Sequence, residues 1–101
     1  MELQNLDYEW SASEGWKYSD SRPGGLGFVG TVDYITDAIN GRAWKAEMDS
    51  RHGPGLVALG WPQDRDFYSP EAAGWWILSA AQELDGLSVY TRMMDLSRKR
   101  V

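Results

Sequence analysis

Ser69-Pro70-Glu71-Ala72-Ala73-Gly74-Trp75-Trp76-Ile77-Leu78-Ser79-Ala80-Ala81-Gln82-Glu83-Leu84-Asp85-Gly86 is the stretch that decides the fold. A serine able to cap, a proline at the first helical position and an acid in the first turn make a strong helix start. Ala73, Trp76, Ile77, Ala80, Ala81 and Leu84 then recur at helical spacing and form one apolar stripe. Gly86 suits the residue just past a helix end, with Leu87 supplying the apolar contact that accompanies such a cap. The spacing predicts a helix over about 70–85 with one face to bury. Gly74 costs about 1 kcal/mol of helix propensity relative to alanine and permits close approach to whatever covers it.

The covering layer must come from upstream, where the period changes from helical to two. Leu6, Tyr8, Trp10 and Ala12 alternate with Asp7, Glu9 and Ser11, as in a half-buried strand. Ser13-Glu14-Gly15 reads as a turn, and Trp16 and Tyr18 resume the alternation. Residues 19–25 are a loop by composition. Residues 28–35 are rich in strand formers, with Phe28, Val32 and Tyr34 sharing one face. Asn40-Gly41 is the strongest hairpin signal, and 42–49 comes next, with Trp44, Ala46 and Met48 alternating with Lys45, Glu47 and Asp49. A two-residue turn there pairs Asp37 with Trp44 and Asp33 with Met48, which mixes faces. A longer loop, with one extra residue, brings Tyr34 and Val32 beside Trp44 and Met48, and is favoured because a one-residue slip exchanges the buried and exposed faces.

Residues 50–55 read as a turn, and 56–61, an apolar run between Gly55 and Pro62, as a short central strand. Residues 62–68 read as a loop containing Asp64 and Asp66. After the helix, residues 87–96 fit two patterns. Leu87, Val89, Thr91 and Met93 alternate as a strand, whereas Tyr90, Met93, Met94 and Ser97 fit a helix; the strand is favoured. The expected architecture is α+β: an antiparallel sheet of four to five strands with one helix packed across one face. Residues 1–96 form a single domain and the basic 97–101 a frayed tail.

Composition narrows the chemistry. The chain of 101 residues, 43% apolar and 25% charged, can bury one small core and lacks the makeup of a disordered chain. It contains no cysteine and a single histidine, so no cofactor or metal site is expected. The first residues lack a basic start with an apolar run, and no apolar run reaches membrane-spanning length, so a cytoplasmic protein with no membrane partner is expected. Residues 1–49 carry a net charge of −5, 50–90 of −3 and 91–101 of +3. An acidic body argues against direct contact with a nucleic-acid backbone and favours a basic protein partner. Six tryptophans are more than so short a chain buries with ease, so one or two are expected at the surface as anchors.

Motifs that could carry catalysis are thin. Gly25-Leu26-Gly27-Phe28-Val29-Gly30 matches a glycine-rich phosphate loop, and Lys45 comes after it. Such loops need a preceding strand and a following helix, or the remaining kinase signatures, and these are missing. His52 sits in a Gly/Pro turn with no marked nucleophile. No two carboxylates are singled out as an acid/base pair. The expectation is a non-enzymatic protein.

The acids suggest another use. Asp7 with Glu9, and Glu47 with Asp49, are i,i+2 pairs on expected strands, each about 6.7 Å apart on one face. That spacing approximates successive phosphates on a nucleic-acid strand. The candidate partner-binding set is therefore Asp7, Glu9, Asp33, Asp37, Glu47 and Asp49, with Trp75 as an aromatic anchor beside the helix stripe. Short, acidic, cysteine-free and aromatic-rich, the chain resembles as a class the small anti-defence inhibitors of phages and mobile elements, anti-CRISPR and anti-restriction proteins among them. The resemblance implies a protein that occludes a basic, nucleic-acid-binding surface of a larger protein or nucleoprotein complex. The alternative is an assembly subunit or homodimer that self-associates through the aromatic helix face.

Overall fold

A computed structural model describes residues 3–35 and 43–99, with the backbone alone for 89–99. Five antiparallel strands lie side by side in chain order: β1 (Asp7–Ser11), β2 (Gly15–Asp20), β3 (Gly27–Tyr34), β4 (Trp44–Met48) and β5 (Asp64–Phe67). A 3-10 turn at Ser50–His52 leads into a short helix, α1 (Gly53–Leu59), between β4 and β5. A long helix, α2 (Pro70–Lys99), comes after β5 and packs on β3, β4 and β5. This is the α+β arrangement that the helix stripe and the upstream alternation call for. No helix among the described residues is long and apolar enough to cross a membrane.

The pairings assign the two faces of the sheet. Trp10 lies opposite Trp16, Trp16 opposite Val32, Val32 opposite Ala46, and Ala46 opposite Arg65. This row, with Tyr8–Tyr18 and Tyr34–Trp44–Phe67 beside it, faces α2, because strand side chains alternate between faces. Val29 and Met48 join it, Val29 at a bulge where β2 and β3 shift register between Tyr18 and Ser19. Ala73, Trp76, Ile77, Ala80, Ala81 and Leu84 of α2 are all buried against this side, together with Leu3, Val29, Val32, Ala46, Met48 and Leu56. The apolar stripe predicted for the helix is therefore its buried face. Ser69 caps α2 by accepting a bond from the Ala72 N–H at 3.2 Å.

Three expectations are corrected. Residues 56–61 are not a central strand: they belong to α1 and its end. Pro54 sits in its first turn, and Gly60 closes it in a left-handed conformation (φ 78°), donating to Leu56 and Val57 carbonyls. Leu56 is buried while Val57 is 79% exposed, so the run has a helical face rather than two buried ones. Residues 64–67 are not loop but the edge strand β5, too short and too charged to be recognised by alternation. The predicted helix end at Gly86 is passed over: α2 continues to Lys99, so residues 87–96 are helical and the first residues of the expected tail are too. Leucine, methionine, arginine and lysine after Gly86 favour helix, and no proline comes later to stop it.

The β3–β4 register matches the longer-loop reading at the end next to the connection, where Tyr34 faces Trp44. Deeper in, Val32 faces Ala46 and Gly30 faces Met48, so the connection is longer than expected. The Asn40-Gly41 turn lies outside the described residues.

Candidate functional site

The other face of the sheet is the acidic one. Glu9, Lys17, Thr31, Glu47 and Asp64 run across all five strands as one row of paired positions. Asp33, Lys45 and Asp66 form a second row, and Asp7 opposite Ser19 a third. Asp7, Glu9, Asp33, Glu47, Asp64 and Asp66 are all exposed. Against these six carboxylates the strands offer two lysines on this face. Lys45 lies 3.7 Å from Glu47 and 3.7 Å from Asp64, while Lys17 pairs with Glu14 at 3.0 Å. Neighbouring strands are about 4.8 Å apart and alternate residues about 6.7 Å, so the carboxylates form a two-dimensional array rather than a pocket. A concave region of about 540 Å³ on this face is lined by residues including Glu14, Asp33, Glu47, Asp49 and Gln63, and smaller ones lie beside Asp7 and Glu9 and beside Asp33 and Lys45. Among the described residues no three acids or histidines converge to hold a metal ion.

Four of the sequence-derived candidates, Asp7, Glu9, Asp33 and Glu47, thus share one solvent face. Two of them are also tied locally: Asp7 accepts from the Ser21 hydroxyl, and Asp33 from the Tyr34 N–H at 2.9 Å. Asp49 lies just past β4 and is half-buried and paired with Arg51, so its charge is largely compensated. Asp37 lies outside the described residues. Asp64 and Asp66 extend the array and were missed with the strand that holds them.

Trp75 stands on the opposite side, 69% exposed on α2. Helix α2 covers the inner face of β3 to β5 but leaves that of β1 open, where Tyr8 is 65% and Trp10 54% exposed. These rings are packed on β2: Tyr8 with Trp16 at 5.6 Å and with Tyr18 at 5.9 Å, and Trp10 with Trp16 at 5.4 Å between centroids. A groove of about 350 Å³ runs between this wing and the helix, lined by Asn5, Leu6, Tyr8, Tyr18, Glu71, Gly74, Trp75 and Leu78. No family model, curated protein or solved structure matches the chain.

Other singled-out residues have structural work. Gly27–Gly30 of the glycine motif lies within β3, with no helix after it, and a Cβ at Gly25 would stand 2.6 Å from Asp20 Oδ2. His52 Nε2 is 2.9 Å from the Phe28 carbonyl, joining the 3-10 turn to β3. Asp20, at 3% exposure, is the one buried charge among the described residues. Arg22 grips it with two 2.8 Å bonds and donates a third, also 2.8 Å, to Asp85 of α2. The Leu26 N–H donates to it at 2.8 Å. These bonds, the Arg22 side chain's above all, hold the Asp20 carboxyl at about 2 against the cost of burial.

Proposed function

We propose that the chain is a non-enzymatic binding protein whose outer sheet face occupies a basic, nucleic-acid-binding surface of a larger protein or complex. The observation that supports the reading is the array of Asp7, Glu9, Asp33, Glu47, Asp64 and Asp66, exposed on one face with two lysines among them. None of the six belongs to the buried core, and Glu47 and Asp64 share Lys45 between them, so the face keeps an excess of negative charge toward solvent. A surface that evolved to hold phosphates offers arginine and lysine at similar spacing, and association would be fast and salt-sensitive. The chain's formal net charge of −5 adds long-range steering to the local match.

The test is retention of a partner from lysate of the native host by the tagged protein, followed by competition. A nucleic-acid-binding protein held at low salt, released by duplex DNA or RNA, and lost with the Glu9→Lys/Glu47→Lys double variant is the expected result. Both sites are exposed, so the variant should keep the native circular dichroism and melting temperature. Unchanged retention by a folded double variant would overturn the reading.

A further inference from the structure

We propose that the groove between β1, β2 and α2 is a receptor for an arginine side chain of a partner protein, with Tyr8, Tyr18 and Trp75 as its walls and Glu71 as its counter-charge. Three aromatic rings and one carboxylate line the groove with Asn5, Leu6, Gly74 and Leu78, and no lysine or arginine is among the lining residues. Ring faces attract cations through their quadrupole, and the planar guanidinium stacks on them while presenting a fork to a carboxylate. The Glu71 carboxylate forms no hydrogen bond or ion pair among the described residues, so it is available for that fork.

The local construction keeps the groove open. Tyr8 and Tyr18 rings lie 5.9 Å apart and are tilted by 32°, giving two neighbouring walls. A Cβ at Gly74 would stand 2.7 Å from the Tyr18 hydroxyl, so glycine lets that ring reach the helix. Burial, and behind it Tyr8 and Glu71, push the Tyr18 phenol above its usual range, which keeps it neutral. The groove, about 350 Å³, has room for one long side chain. Trp75 and Tyr8, 69% and 65% exposed, leave the entrance open to solvent. The groove lies on the helix side of the sheet and does not depend on the acidic array of the outer face.

The experiment is a ¹⁵N chemical-shift titration with an acetyl-Gly-Arg-Gly-amide peptide and its uncharged citrulline counterpart. The Trp75 indole signal is assigned by Trp75→Phe. The arginine peptide should shift the Trp75 indole and the Glu71 and Gly74 amides, and the citrulline peptide should not. Glu71→Gln, at an exposed site, should weaken binding about fivefold or more without loss of fold. Equal shifts with citrulline, or unchanged affinity in Glu71→Gln, would overturn the proposal. Shifts confined to Glu9, Lys17 and Glu47 would overturn it while supporting the outer-face reading. A light-scattering mass of two chains, reduced to one by Trp75→Glu, would overturn it in favour of a second copy covering the groove.

Discussion

At the scale of single residues, the clearest energetic commitment is the clamp of Arg22 on Asp20 and Asp85. It joins the end of β2 and the loop that comes directly after it to the middle of α2, 63 positions on from Arg22. Asp20 has a native pKa of about 2, against about 3.9 in an unfolded chain. A depressed value means that the ionised form favours the fold. The gain, about 2 kcal/mol, is full above about pH 4 and is lost as the pH falls from there toward 2. Asp20→Asn should therefore cost about 2 kcal/mol or more at pH 7 and much less near pH 2, read from urea melts at both. An equal cost at the two values would deny the carboxylate its role. Nothing local in Ser19-Asp20-Ser21-Arg22 marks it as buried: the two charges read as loop residues, because the partner that buries them, Asp85, lies on α2.

At the scale of elements, legibility tracked length and amphipathicity. The apolar stripe of α2 and the alternation of β1 to β4 are readable because many residues repeat one pattern. Short elements failed: α1 carries two apolar positions per turn that a strand would also use, and β5 offers only Asp64-Arg65-Asp66-Phe67. Gly86 failed for a different reason, since a glycine marks a helix end only if the residues after it prefer to leave the helix. The two glycines near helix ends differ accordingly. Gly60 has a left-handed φ of 78°, whereas Gly86 lies inside α2 with nothing within 4 Å of a Cβ. Gly86→Ala should raise stability by about 0.5–1 kcal/mol, and Gly60→Ala should lower it by about 1–2 kcal/mol. Opposite shifts in melting temperature are the expected outcome. A drop with Gly86→Ala would mean that the helix ends or bends there.

At the scale of the whole molecule, the outer acids of β1 to β4 were legible residue by residue, but their union with Asp64 and Asp66 in one array was not. Nor was the meeting of Tyr8, Tyr18, Glu71 and Trp75, which are up to 67 positions apart in the chain. Strand order and helix placement decide both, and alternation marks faces without saying which is covered. The finished molecule is uneven: β3 and β4 are paired on both sides and roofed by α2, while β1 is an edge strand paired only with β2. Amide exchange in residues 7–11 should run about tenfold or more faster than in 28–33, since sub-global opening starts where least is buried. Comparable protection in the two strands would mean that the wing and the body open as one unit. The wing also has its own optical identity. The Trp10 and Trp16 indoles, 5.4 Å apart and skewed by 57°, are close enough for their excited states to mix. Such a chiral pair of chromophores splits into an exciton couplet in the far ultraviolet, as does the Trp61–Trp76 pair at 5.6 Å and 56°, so the part of that band lost in Trp10→Phe reports on β1 and β2 with no label attached.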